Sequence, residues 1–123
     1  MTAALAAALR AAAAGLLPGE AGTGLLIDSG AFLHRADFTS RFTGTAAGTS
    51  DGAALTAWTD WEAIAAALDR GQLPASSGER AVLRIAASLA AGTPVSLCDT
   101  VTSLDQRNLA LVTTAIRHAA GYR

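Results

Sequence analysis

The chain has 123 residues, which suits one domain with a buried core, and its 51% apolar and 15% charged residues exclude an intrinsically disordered protein. The formal net charge is −1, with acidic residues and arginines interspersed, so the sequence lacks the basic patches typical of proteins that bind nucleic acids or membrane surfaces. The single cysteine, Cys98, excludes an internal disulfide and favours a reducing compartment, so we expect a cytoplasmic protein.

The chain starts with an Ala- and Leu-rich segment that predicts a helix over about residues 2–14, ended by Gly15 and by Pro18-Gly19. A secretory signal would have a charged start and an uninterrupted apolar run, whereas here Arg10 interrupts the run. No uncharged apolar stretch reaches the roughly 18 residues of a membrane-spanning helix. We expect no membrane association.

Residues 24–34 allow two interpretations. Two short apolar runs flank Asp28-Ser29-Gly30, which suits a small β-hairpin. Alternatively, Ser29 caps a helix that begins near Ala31, includes Phe38 and Phe42, and ends near residue 44. The following residues, about 43–57, are rich in Gly, Ser, Thr and Ala, and this composition predicts a flexible loop.

The second half of the chain carries three helix patterns with N-terminal capping signals. Thr59 with Glu62 predicts the first helix start, Ser76 with Glu79 the second, and Asp105 the third. Glycines at positions 71, 92 and 121 are expected to end these helices. The segment from Pro94 to residue 97 is expected to be extended or to enter a turn. The inner face of the last helix is predicted to contain the apolar residues Leu109, Val112, Ala115, Ile116 and Ala119.

These patterns predict a mainly α-helical fold, a compact bundle of four to five helices, with the short β-hairpin near residues 24–34 left open. We expect a single helical domain over residues 1–123 with a flexible internal loop at about 43–57. Nine arginines, no lysine and abundant alanine are typical of GC-rich bacterial genomes. The segment S-S-G-E-R-A-V-L-R-I-A-A-S-L-A-A-G followed by P-V-S-L resembles small helical proteins of actinobacterial type, a resemblance that implies no particular activity.

Residues 75–107 also resemble the C-terminal third of ABC-type ATPase domains. The resemblance implies that Ser76, Gly78 and Glu79 match the signature loop and that Asp99 matches the acidic end of a strand. Yet Thr100 stands where that family places its catalytic glutamate, and the chain has no lysine to contact phosphates. ATP hydrolysis by this chain alone is therefore excluded, and helix capping accounts for the same residues.

The stretch L-L-I-D-S-G-A at residues 25–31 resembles the active-site loop of retroviral-type aspartic proteases. In that family a symmetric dimer brings two such aspartates together, so the resemblance implies Asp28 as a catalytic residue shaped by Ser29 and Gly30. The fold of that family is nearly all β, whereas this chain has three strong helical patterns. A turn or helix start built from Asp, Ser and Gly is the alternative interpretation.

A third alternative is a helix-turn-helix DNA-binding regulator formed by the last three helical segments. Its recognition helix would present Gln106, Arg107, Asn108 and Thr113 to the bases. Few cations accompany them, and binding to DNA depends mainly on neutralising phosphates. We therefore do not expect nucleic acid as the partner.

The interpretation we favour is a non-catalytic protein-interaction or regulatory module that associates with itself as a homodimer or with another protein. Aromatic residues commonly anchor such contacts. These large residues also have to supply much of the core, and the candidate contact surface contains either the segment with Phe32, Phe38 and Phe42 or the pair Trp58 and Trp61. His34 and His118 have no ligand-spaced partner, so we expect no metal site, and no cofactor-binding motif is present.

Overall fold

A computed structural model describes residues 2–48 and 55–122 and shows a mainly α-helical protein with one short β-hairpin, as predicted. The described residues form seven helices rather than four or five. The helices are α1 (Thr2–Ala13), α2 (Leu17–Asp28), α3 (Ala36–Phe42), α4 (Trp61–Asp69), α5 (Ser77–Ala91), α6 (Leu97–Val101) and α7 (Gln106–Ala119). The strands are β1 (Thr43–Ala46) and β2 (Thr56–Thr59).

Helix α2 lies where the sequence predicts a turn and then a hairpin or the start of a later helix. Residues 24–28 are its last turns, so the hairpin expected near residues 24–34 is not formed there. Ser29 follows α2 instead of capping a helix at Ala31, and its hydroxyl donates to the Leu26 carbonyl at 2.8 Å. Pro18 is tolerated because it stands in the first turn, where its missing N–H has no helical partner.

Close packing against α5 explains why a glycine-rich segment becomes helical. A Cβ on Gly22 would lie 2.6 Å from the Ala86 carbonyl oxygen and 2.7 Å from the Ala90 Cβ. Glycine weakens an isolated helix, but here it lets two helix backbones approach each other. Burial of the neighbouring Leu25 and Leu26 then stabilises α2 in the core.

The β-hairpin occupies both ends of the segment predicted as a flexible loop. Strands β1 and β2 are antiparallel, with Thr43 opposite Thr59 and Gly44 opposite Trp58. A Cβ on Gly44 would overlap two carbons of the Trp58 indole, so the ring lies directly on the glycine backbone. The middle of the predicted loop, residues 49–54, lies outside the described residues.

Helix capping in the second half follows the sequence signals closely. Ser76 and Glu79 form the predicted capping box, with the Glu79 N–H donating to Ser76 Oγ at 3.2 Å and the Ser76 N–H donating to Glu79 Oε1 at 2.8 Å. Asp105 caps α7 by accepting from the Asn108 N–H at 2.7 Å. The prediction for α4 is wrong by one residue: Thr59 ends β2, and Asp60 is the cap.

Two clusters of buried side chains form the core, and α2 contributes to both. Leu26 packs in the first cluster with Phe32, Phe38, Ile64 and Leu83. Leu25, its neighbour in sequence, packs in the second cluster, which lies between α2, α5 and α7. None of the helices in the described part of the chain has both the length and the apolar character needed to cross a bilayer.

Candidate functional site

The three phenylalanines of the predicted contact surface lie in the core. Phe32, Phe38 and Phe42 are 0%, 1% and 3% exposed. Their rings pack in a row, with centroids 5.0 Å apart for the first pair and 5.1 Å for the second. The segment between α2 and β1 is therefore held by burial of its aromatic rings, and these side chains are not available to a partner.

The two tryptophans of the predicted surface are brought together. Trp58 is 51% exposed and Trp61 is half-buried, and both line a hollow of about 200 Å³ between the hairpin, α1, α2 and the end of α5. Thr59 lies between them in sequence and lines the same hollow. Its Oγ1 is buried and has no hydrogen-bond partner among residues 2–48 and 55–122. Of the predicted contact residues, Trp58 alone is prominently exposed in the described structure.

Asp28, the residue singled out by the protease resemblance, is the last residue of α2. Its Oδ1 accepts from Arg10 Nη2 at 2.8 Å, and the pair is about half exposed. The protease resemblance implies a loop in a nearly all-β fold at this position, so the helix does not match it. Gly30 follows in the left-handed conformation with φ of 71°, as expected of a turn after a helix.

The residues singled out by the ATPase resemblance and by the DNA-binding alternative mostly stabilise local structure. Asp99 lies in the first turn of α6, so the strand end implied by the ATPase resemblance is replaced by a helix. Helices α5, α6 and α7 do follow one another, as the DNA-binding alternative requires. Arg107, however, donates to the carbonyl oxygens of Ser29 at 3.1 Å and Asp28 at 3.0 Å. Its guanidinium therefore connects α7 to the end of α2 through hydrogen bonds.

A groove lies between α1, α2 and α7. We call it the charged groove, and its volume of about 420 Å³ falls in the range typical of small-molecule sites. Small or apolar residues form its lining between the charged groups: Ala14, Ala21, Gly24, Leu25, Leu111 and Ala115. The space stays open because most of these side chains are short, whereas protein interiors are normally filled to high density.

An ion pair and a histidine–carboxylate hydrogen bond flank the charged groove, one towards each end of α2. Arg10 of α1 pairs with Asp28, and His118 Nε2 of α7 lies 2.7 Å from Glu20 Oε1. The other oxygen of Glu20 accepts from the Gly15 N–H at 2.8 Å. Glu20 and Asp28 are eight residues apart in one helix, a distance of about 12 Å at a rise of roughly 1.5 Å per residue.

Sequence reasoning missed the charged groove, although one signal for it exists. Glu20, Gly24 and Asp28 are spaced four apart and therefore share one face of a helix. That spacing becomes informative only when residues 17–28 are recognised as helical. Arg10 and His118 come from other helices, and no local pattern links them to this face.

Helix α7 also has an apolar surface that faces away from the core. Val112 and Ala115 are buried as predicted, but Leu109 and Ile116, predicted on the inner face, are 49% and 46% exposed. They are seven residues apart with Thr113 between them, so the three form one stripe, here called the α7 outer face. Beside its last turn lies Leu17, whose Cδ1 would be 3.8 Å from a Cβ on Gly121.

No family model, curated protein or solved structure matches this chain. Function must therefore be inferred from the surfaces themselves. Among residues 2–48 and 55–122, no group of three His, Cys, Asp or Glu side chains is placed to hold a metal ion.

Proposed function

We propose that the protein is a non-catalytic interaction module that forms a homodimer through the α7 outer face. The observation that carries this proposal is the exposure of Leu109 and Ile116 on one stripe of a long, well-capped helix. Large apolar side chains that form a common surface are typically covered by a partner. The DNA-binding and protease alternatives stay predictions.

The charges at the ends of α7 favour a second copy as the partner. The N-cap is Asp105, whereas the last turn carries Arg117. If two α7 helices pack antiparallel about a twofold axis, Leu109 of one copy meets Ile116 of the other, with Thr113 near the axis. The acidic start of each helix then lies beside the basic end of the other, and the two helix dipoles are opposed. A self-complementary surface of this kind is what a twofold interface requires.

The test is to measure molar mass by sedimentation equilibrium over a wide concentration range. We expect the wild-type protein to show a monomer–dimer equilibrium. The variant Leu109→Glu places a charge in the proposed interface and should remain monomeric, because a buried unpaired carboxylate is strongly unfavourable.

Leu97→Glu is the matched control, because Leu97 is a similarly exposed leucine on α6 outside the α7 outer face. It should dimerise like the wild-type protein. A monomeric wild-type protein at all concentrations would contradict the proposal. Dissociation by Trp58→Ala but not by Leu109→Glu would instead assign the interface to the hairpin.

A further inference from the structure

We propose that the charged groove binds a small zwitterion with an aliphatic tail, the chemistry of an aliphatic α-amino acid. This inference is independent of the dimer proposed above. It depends on three properties of the groove: the unused hydrogen-bonding capacity at one end, the apolar lining beside it, and the size of the space.

Paired but not saturated hydrogen-bonding groups lie at the end formed by Arg10 and Asp28. At the opposite end, both oxygens of Glu20 already accept hydrogen bonds, from His118 and from the Gly15 N–H. Asp28 uses Oδ1 for Arg10, while its Oδ2 has no partner among the described residues. Arg10 in turn donates from Nη2, and its Nη1 and Nε have no acceptor in the described part of the chain.

These groups present an acceptor and several donors side by side. A carboxylate can bind the remaining N–H groups of Arg10, and an adjacent ammonium can bind Asp28 Oδ2. A lone amine would leave the remaining N–H groups of Arg10 without an acceptor, and a lone carboxylate would leave Asp28 Oδ2 without a donor. A molecule with both charges on neighbouring atoms matches the site.

The lining next to this end fits an aliphatic side chain. A Cβ on Gly24 would have Arg10 Nη1, at 3.5 Å, as its nearest contact, so the guanidinium lies over a part of α2 that has no side chain. From there the lining continues past the buried Leu25 and Ala115 to the half-buried Leu111 and the exposed Ala14, whose apolar surface still faces water. An aliphatic tail that covers this surface removes it from water.

The test is a titration of the ¹⁵N-labelled protein followed by two-dimensional amide NMR. The probes are L-leucine, 3-methylbutylamine, which lacks the carboxylate, and 4-methylpentanoate, which lacks the ammonium. We expect saturable shifts of the Gly24 and Ala115 amides with leucine. Binding of each singly charged analogue should be weaker by at least about tenfold, the effect of losing one charge-assisted hydrogen bond.

Two variants test the assignment of the site. Asp28→Asn removes the charge without changing the shape of the side chain, and Gly24→Leu fills the groove. Each should weaken leucine binding by about tenfold or more. Asp69→Asn is the matched control, because it breaks the exposed Arg84–Asp69 ion pair of 2.9 Å outside the groove, and it should leave binding unchanged.

Three results would overturn the proposal. These are the absence of saturable shifts in the folded wild-type protein, equal binding of either singly charged analogue, and equal effects of Asp28→Asn and Asp69→Asn. Far-UV circular dichroism of each variant establishes that it is folded. If Gly24→Leu does not fold, the comparison between the two Asp→Asn variants still decides the matter.

Discussion

At the scale of single residues, Arg35 shows how one side chain orders an irregular segment. Its guanidinium donates to both oxygens of Asp37, at 3.1 and 2.7 Å, and to the Pro74 carbonyl oxygen at 2.7 Å. It also lies 5.8 Å from the centroid of the Phe32 ring. These contacts join the start of α3 to the segment before α5.

The Arg35–Asp37 pair gives a prediction about pH. The hydrogen bonds from Arg35 lower the pKa of Asp37 below its ordinary value of 3.8. Because the folded-state pKa is the lower one, this pair contributes stability above the ordinary pKa and loses it as the pH falls through the folded-state pKa. An NMR titration should find the low pKa in the wild-type protein and a higher one in Arg35→Gln.

Arg41→Gln is the control for this titration. Arg41 lies in the same helix, donates to the Gln72 carbonyl oxygen at 3.0 Å and stacks on Phe42, but it has no hydrogen bond to Asp37. The Asp37 pKa should stay low in this variant. A pKa that is unchanged in Arg35→Gln would show that another group lowers it.

At the scale of elements, the contact between α2 and α5 depends on Gly22. Alanine is the better helix former, yet a Cβ at this position would overlap the α5 backbone at Ala86. We expect Gly22→Ala to lower the free energy of unfolding by about 1–3 kcal/mol, the usual effect of overpacking. Urea denaturation measures this change.

Gly24→Ala is the matched substitution in the same helix. Its nearest contact would be an ordinary one with Arg10, so it should raise the free energy of unfolding by roughly 0.5–1 kcal/mol. Opposite signs for two glycines that are two residues apart would assign the effect to packing. Equal destabilisation by both variants would contradict this account of α2.

A comparison of α2 with α5 and α7 shows which helices the sequence can predict. The starts of α5 and α7 were predictable because Ser76, Glu79 and Asp105 act on backbone groups only three residues away. Helix α2 was not, since Pro18 and its glycines give local signals for a turn. Those signals are outweighed by packing against α5, which no local pattern reveals.

The candidate sites were predictable to different degrees for related reasons. Trp58 was recognised as a large aromatic residue beside a segment expected to be flexible. Its position on Gly44 depends on the pairing of β1 with β2, which are too far apart in sequence for a local pattern to reveal. Phe38 and Phe42 lie on one helix as predicted, whereas Phe32 lies before it, and all three are in the core rather than on the candidate contact surface. The charged groove joins residues as far apart as Glu20 and His118, so it became visible only with the fold.

At the scale of the whole molecule, α2 joins the two core clusters, and we expect them to unfold together as one domain. Leu26→Ala, in the first cluster, should lower the free energy of unfolding by about 2–5 kcal/mol. Tryptophan fluorescence and far-UV circular dichroism should show the same shifted midpoint in urea.

Leu16→Ala is the control, because Leu16 is a highly exposed leucine just before α2, and it should change stability by less than about 0.5 kcal/mol. Separate transitions for the two probes would contradict a single domain. They would indicate that the clusters unfold independently despite their shared helix.

The hydrogen bonds between α7 and the α2 region should affect the folding rate. His118 with Glu20 and Arg107 with the Ser29 carbonyl oxygen join residues that are 98 and 78 positions apart in the chain. Nearly the whole polypeptide must fold back before these contacts form, and closing so long a loop is entropically unfavourable. Helical proteins usually fold within milliseconds because their contacts are local. In this protein, connectivity rather than helix content should set the folding rate.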